Sequence, residues 1–283
     1  MVTVFDQDGA IDFEQTQKVA QYLVAHGHDG LVVSGTTGES PTTTVAEDGE
    51  LIRAVRDAVG PSIKLVAGVG TNDTRTTLEL AVQAEKAGVD ALLLVTPYYN
   101  KPGQAGIEHH FRQVADATKT PIMLYDVPGR TGTKISAEVY ANLASIENFV
   151  AVKDAAGDPT QAAMLVEHGY VVYSGDDALT VDYIRNGAVG LVSVCAHAAG
   201  DELRSLIGAA TSGDFETAEK IDQQLQPAYA AIMGVPNYGA TTAKSALQHL
   251  GVIDNRNVRS PLLALDDAEH AAVRVGLTTA GLL

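Results

Sequence analysis

A short apolar run recurs along this chain with a helix-sized interval after it, and that alternation restricts the possible folds more than any other feature. The runs are Met1–Phe5, Gly30–Val33, Leu65–Val69, Ala91–Val95, Ile122–Tyr125, Phe149–Val152, Val171–Tyr173 and Leu191–Val194. Each is too short for a helix and lacks the polar alternation of a half-wet strand, so each predicts a strand covered on both faces. The intervals carry helical patterns at Asp12–His26, Thr74–Ala87, Ile107–Ala117, Ser136–Ala144 and Asp176–Asn186. In the first, Phe13, Val19, Ala20, Leu23 and Val24 share a face and Asp12 can cap the start. Parallel strands need such crossovers. Eight strand–helix units in about 210 residues suit a closed (β/α)8 TIM barrel of the α/β class, whose typical size is about 250 residues. The runner-up, an open doubly wound sheet, prefers a glycine-rich dinucleotide turn after an early strand, and Gly35, Thr36, Thr37, Gly38 lacks that spacing.

Beyond residue 200 the strand signal stops, while helical segments continue at Phe215–Met233, Thr241–Leu250 and Asp266–Val275, punctuated by Pro227, Pro236 and Pro261. This predicts a barrel over residues 1–212 and a carboxyl-terminal helical extension over 213–283 packed on it, with no low-complexity linker between them. With 19 Lys and Arg against 35 Asp and Glu, the net charge of −16 repels phosphate backbones and anionic lipid. Nucleic acid and membrane are therefore not expected partners. Cys195, the only cysteine, lies in an apolar run and reads as a buried structural thiol in a reducing compartment. The amino terminus has neither the basic nor the long apolar segment of a signal peptide, and no stretch resembles a membrane span. A cytoplasmic, globular chain is expected.

In a barrel, chemistry collects just after the strands, because their carboxyl ends share one mouth. Here those positions read Ser34 to Ser40 (SGTTGES), Thr96 to Asn100 (TPYYN), Tyr125 to Gly132 (YDVPGRTG) and Ser174 to Asp177 (SGDD), while Lys153 closes the run Phe149–Val152. A lysine at the end of a buried strand has its amine near apolar walls, where desolvation favours the neutral nucleophile that forms Schiff bases. Taken alone, Lys153 would more often be a side chain reaching to water. Tyr125 alone would be a rim aromatic, Tyr98 and Tyr99 an interface pair, Thr36 and Thr37 local turn hydroxyls, and Arg130 a surface loop arginine. Their joint occurrence favours a site.

The GTTGES, PYYN and YDVPGRTG blocks, in this order, resemble the pyruvate-dependent class I aldolases, the N-acetylneuraminate lyase family, and the likeness runs from residue 1 to the last helices. It is greatest to the branch that condenses pyruvate with L-aspartate 4-semialdehyde in diaminopimelate and lysine biosynthesis. The resemblance implies that Lys153 forms an imine with pyruvate and that Tyr125 donates and accepts protons. Thr36 would link Tyr125 to Tyr99, the latter reaching into a neighbouring subunit, so a homo-oligomer is implied, a dimer or a tetramer built as a dimer of dimers. Thr37 would hold the pyruvate carboxylate, with Gly35 and Gly38 letting the backbone approach. The main chain of Val192 would face bound pyruvate, and Arg130 would clamp the semialdehyde carboxylate with two parallel hydrogen bonds. Pyruvate is bound covalently as substrate, so no cofactor and no metal are expected. A sugar-acid lyase keeping Lys153 and Tyr125 ranks second, since those branches generally lack the arginine. A non-catalytic binding protein on the same barrel ranks third, because it would be expected to lose part of the set.

Several residues depart from the family pattern or compete for attention. The chain opens inside its first strand, so either looser closure of the barrel there or an incomplete start is expected. Val4 replaces a common proline, without a functional account, and Asp126 stands where many relatives have asparagine. His109 and His110 sit about 100° apart on a helix, too far round to share a metal, and are expected to be solvated. His197 reads as a hydrogen-bonded structural histidine, and the Asp176–Asp177 pair as a helix cap. The family's lysine feedback site uses histidine and glutamate side chains where this chain has Val45, Asp48 and Thr76, although Asn72 and Tyr98 remain. Feedback should accordingly be weak: millimolar L-lysine is expected to leave the purified enzyme's initial rate nearly unchanged, and strong inhibition would contradict this assignment.

Overall fold

The computed structural model describes every residue, Met1–Leu283. The internal apolar runs form strands β1 (Gly30–Val33), β2 (Lys64–Gly68), β3 (Ala91–Val95), β4 (Ile122–Asp126), β5 (Phe149–Asp154), β6 (Val171–Ser174) and β7 (Gly190–Leu191). They make one sheet in the order β1-β2-β3-β4-β5-β6-β7, with helix between consecutive strands. A doubly wound sheet reverses direction at a switch point; this order never does, and it is that of the (β/α)8 barrel, followed by carboxyl-terminal helices. Leu92, Leu94, Leu124 and Val152 are fully buried, as parallel strands covered on both faces require.

Two of the predicted strands differ from expectation. Met1–Phe5 is extended but makes only the antiparallel bridge Phe5–Ile11. Its amides are used elsewhere: Val2 N donates to His197 Nε2 at 3.2 Å and Val4 N to Thr16 Oγ1 at 3.1 Å. Asp6 then turns the chain back by accepting from the Asp8 and Ala10 amides. The run Leu191–Val194 contributes only Leu191 to β7. Val192 N still reaches Ser174 O at 2.8 Å, but Ser193 Oγ then accepts from Ala196 N at 2.7 Å and opens the helix Ala196–Thr211. Apolar content alone does not distinguish a strand from the entry to a buried helix.

The chain divides into two compact units, Met1–Lys64 with Ser193–Leu283, and Leu65–Val192. In the first, Asp12 caps the helix Phe13–Ala25 through Gln15 N, and Thr44 and Glu47 form a reciprocal capping box on Val45–Val59. Cys195 and His197 are buried, the latter with Nδ1 2.8 Å from Val194 O, so both are structural as expected. Pro227 lies inside the helix Phe215–Met233 rather than ending it. That helix meets Asp267–Thr279 at Gly276, where a Cβ would come within 2.4 Å of Ala231 Cβ. In the second unit β2 to β6 alternate with helices including Thr74–Lys86, Gln104–Ala117, Ala137–Leu143 and Gln161–Glu167. His109 is exposed but His110, against expectation, is buried with Nδ1 2.9 Å from Thr74 Oγ1. The 100° turn that separates the two histidines puts His110 on the face of Ile107, Phe111 and Val114, and burial lowers its pKa to about 4. No helix is long and apolar enough to cross a membrane.

The first unit also buries charge that sequence reading did not single out. Glu39, in the left-handed region at φ 61° after the GTTG turn, pairs with Lys244 of the helix Ala240–His249, both side chains being inaccessible to water. Lys244 Nζ also donates to Asn257 O at 2.6 Å and lies 4.5 Å from the centre of the Phe5 ring. Arg259 N donates to the second Glu39 oxygen at 2.9 Å, and the Arg259 guanidinium holds Glu47 bidentately at 2.6 and 3.0 Å. Burial pulls Lys244 down to about 8 against the opposing pull of Glu39. Removing one partner leaves the other charge buried and alone, at a cost of about 3–5 kcal/mol. Lys244→Met is expected to lower the unfolding free energy in denaturant titrations by that order, and adding Glu39→Gln to recover part of it.

Candidate active site

Tyr125 and Lys153 are direct partners in the parallel ladder of β4 and β5, next to the pairs Leu124–Val152 and Asp126–Asp154. Side chains on neighbouring parallel strands at the same register point to the same face, and strands lie about 4.8 Å apart. The phenol and the amine are therefore adjacent: Lys153 Nζ sits 4.3 Å from the centre of the Tyr125 ring. Tyr125 is buried and Lys153 half-buried. The ladder continues to Tyr173 and then Gly190.

Glycine makes room for the lysine. A Cβ at Gly175, just after β6, would lie 3.1 Å from Lys153 Cε and 2.8 Å from Ala155 Cβ. Gly175 N donates to Asp154 O at 2.7 Å, which fixes the turn beside the lysine stem. Val192 is half-buried, its amide tied to Ser174 O, so its main chain is anchored at the end of the same strands.

The segments after β3 and β4 carry the other predicted residues of this unit. Tyr99 and Lys101 are both in the left-handed region, at φ 72° and 45°, a conformation that non-glycine residues adopt at a cost and that concentrates at functional sites. Tyr99 is 88% exposed, while Tyr98 is half-buried and its phenol pKa is raised by desolvation. Asn100 pins the loop by donating from Nδ2 to Asn72 O at 2.8 Å. Arg130 is exposed on the one-turn helix Pro128–Thr131, which Gly132 ends at φ 71° by donating to Pro128 O at 2.8 Å. The stem of Lys101 lies across Gly132, where a Cβ would meet its Cε at 2.5 Å, so the two loops touch.

Thr36 and Thr37 belong to the first unit, in the short 3-10 turn Thr36–Gly38, with Thr36 exposed and Thr37 half-buried. The turn is held by Glu39 N donating to Thr36 O at 3.1 Å and by Thr3 Oγ1 donating to Gly38 O at 2.8 Å. Asp176 caps a turn through Ala178 N, as expected of an aspartate at a helix start. No group of three or more His, Cys, Asp and Glu side chains is arranged to hold a metal ion.

Sequence reading assigned no role to Thr96, Asp126 or Asp154. Thr96, at the end of β3, is wholly buried with an unpartnered Oγ1, and its amide approaches Tyr125 O at 3.4 Å. Asp126 and Asp154, one residue past the Tyr125–Lys153 pair and on the opposite face, are also wholly buried. The signal for the acids was present, since both directly follow a named site residue.

The family model of the dihydrodipicolinate synthetase family matches residues 1–280. The chain is 50% identical over 283 residues to the 4-hydroxy-tetrahydrodipicolinate synthase of Kineococcus radiotolerans, covering all of this chain and 92% of that one. It is 49% identical to the enzyme of the same name from Acidothermus cellulolyticus over 99% of this chain and 91% of that one. Among solved structures, the dihydrodipicolinate synthase of Bacillus anthracis matches with a TM-score of 0.93 and 41% identity over 98% of this chain and 95% of that one. The Acinetobacter baumannii enzyme complexed with pyruvate matches with 0.94 and 34% identity over 100% and 97%. Gly175→Ala should push the Lys153 stem aside; a misplacement of about 1 Å can cost about 10²-fold. A loss of at least about tenfold in turnover of the protein that remains folded is expected, together with a lowered melting temperature from the contact with Ala155 Cβ, and wild-type turnover would refute it.

Proposed function

The chain belongs to the dihydrodipicolinate synthetase family, and on that footing we propose that it condenses pyruvate with L-aspartate 4-semialdehyde to 4-hydroxy-tetrahydrodipicolinate, through a Schiff base on Lys153. The observation that carries this reading is the amine of Lys153 against the Tyr125 ring at one register of the ladder. A nucleophilic amine and a phenol able to carry protons, side by side on one rung, are the groups imine chemistry uses.

In this mechanism the neutral amine of Lys153 adds to the ketone carbon of pyruvate, and loss of water gives an iminium. Its positive nitrogen accepts the electron pair released when the methyl group loses a proton, forming an enamine. The enamine carbon attacks the aldehyde carbon, and the new alkoxide takes a proton. The amine of the semialdehyde portion then adds to the imine carbon and expels Lys153, closing the ring and restoring the enzyme. The iminium is the electron sink, so the step requires no metal or bound cofactor.

Tyr125 serves as the proton donor and acceptor. A phenol has an ordinary pKa of about 10 and needs a hydroxyl relay to work near neutral pH. Thr36 and Tyr99 supply that relay in the proposal, with Tyr99 offered to a second copy of the chain, for which its 88% exposure and strained backbone are suited. The active unit is then at least a dimer. Thr37 binds the pyruvate carboxylate, the Val192 main chain faces pyruvate, and Arg130 clamps the carboxylate of the second substrate. In this reading the chain works in the cytoplasm.

Incubation with pyruvate and borohydride, followed by intact mass and peptide mapping, is expected to place one reduced pyruvate adduct on Lys153. Arg130→Ala should retain that adduct while raising KM for the semialdehyde by about tenfold or more, since a bidentate charged contact is lost. An unmodified Lys153, or faster turnover with a sugar-derived aldehyde than with the semialdehyde, would overturn the assignment.

A further inference from the structure

The buried acids Asp126 and Asp154 have no part in the mechanism above, yet they occupy the next rung of the ladder that aligns Tyr125 with Lys153. Neither side chain reaches water. Asp154 is well provided for: Oδ1 accepts from Ala156 N at 2.9 Å and Oδ2 from Gln161 Nε2 at 3.1 Å. Asp126 is not. Its Oδ2 accepts two long contacts, from Ile135 N and Tyr140 O–H, each at 3.3 Å, and Oδ1 has no partner at all. A buried carboxylate with a bare oxygen and a second acid on the adjacent strand is costly to ionise, whereas a carboxylic acid with its proton on that oxygen is not.

The surroundings agree. Tyr140, from the helix Ala137–Leu143, is wholly buried, and its phenol is held well above its ordinary range by burial first and by Asp126 and Asp154 next. Tyr183, from Thr180–Arg185, is likewise pushed up by burial and by Asp154. Lys134 acts on both acids as an opposing cation, and burial outweighs it. Asp158 and Asp176 act on Tyr183 as further negative charges. Burial, followed by Asp154, pushes Asp126 up to about 7, and burial raises Asp154 as well.

We infer that Asp126 and Asp154 hold one proton more than two ordinary carboxyls would, and that this neutral member of the pair positions the active-site rung. The inference rests on Lys153 being the Schiff-base residue. While the proton stays, the ends of β4 and β5 are free of charge repulsion. When it leaves, repulsion between the two carboxylates strains the rung that carries Tyr125 and Lys153. That displacement of Lys153 against Tyr125 slows imine formation.

The linkage sign follows from a folded-state pKa that lies above the unfolded value. The folded chain keeps a proton that the unfolded chain releases, so stability falls as pH rises from the ordinary carboxylate range to about 7. Asp126→Asn mimics the protonated acid, keeping an acceptor for Ile135 N and Tyr140 O–H and removing the titration.

The test compares wild type and Asp126→Asn by melting temperature and by borohydride-trappable pyruvate adduct between pH 5 and 9. Melting temperatures should diverge with rising pH, the variant being the more stable above pH 7. Trapping rates should agree within about twofold at pH 6, with the wild type falling at least about threefold below the variant by pH 8.5. In wild type, an infrared band of a protonated carboxyl should be present at pH 6 and lost by pH 9. Superimposable profiles, or no such band, overturn the inference, and the band decides it even if the variant fails to fold. Absence of any adduct at any pH would instead refute the Schiff-base reading, leaving melting and infrared data to judge the pair.

Discussion

The parallel pairing of β4 with β5 is the constraint on which the site depends. Backbone hydrogen bonding sets the register, and the register places Tyr125 opposite Lys153 and Asp126 opposite Asp154. Successive strand residues face opposite sides, so reactive groups and buried acids are separated by one residue in sequence and by the thickness of the sheet in space. A slip of one position would exchange the two faces and put the carboxyls where the amine belongs. Gly175 completes the arrangement just after β6, since a Cβ there would lie 2.8 Å from Ala155 Cβ and 3.1 Å from the lysine stem.

Charge is buried in two places, and the energetics differ. Glu39 and Lys244 carry opposite signs and satisfy each other, with Asn257 O and Arg259 N taking further valences. Such a pair gains its interaction only in the folded chain and ties the segment after β1 to the carboxyl-terminal helices of its own unit. Asp126 and Asp154 carry the same sign, and their cost is lowered by retaining a proton rather than by a counter-charge. The surface excess of acidic residues has no comparable role, because exposed charges are screened over about 10 Å at ordinary ionic strength.

Much of this was legible from residue order. Six strands were placed within one or two residues, because parallel strands covered on both faces read as unbroken apolar runs. Asp12 was identifiable as a cap because a capping aspartate acts within three residues of itself. What failed involved distant partners or the phase and entry of a helix. Met1–Phe5 gives its amides to Thr16 and His197 instead of to a ladder, and Leu191–Val194 becomes the entry to a helix. His110 reads as polar until the helix phase turns it inward. Lys244 looks like any surface lysine, since its counter-ion is 205 positions away.

The amino-acid order by itself determined the strand–helix alternation, the sheet class, and the positions at strand ends where Lys153, Tyr125 and Arg130 would stand. These follow from periodicity and from short-range steric and capping rules, which act over a few residues. Only the tertiary structure decided that Tyr125 and Lys153 share a rung, that Asp126 keeps an oxygen without a partner, and that Glu39 meets Lys244 away from water. Those outcomes depend on which backbone amides pair across long stretches of chain and on how much solvent is excluded when they do. Neither quantity is carried by any local window of residues.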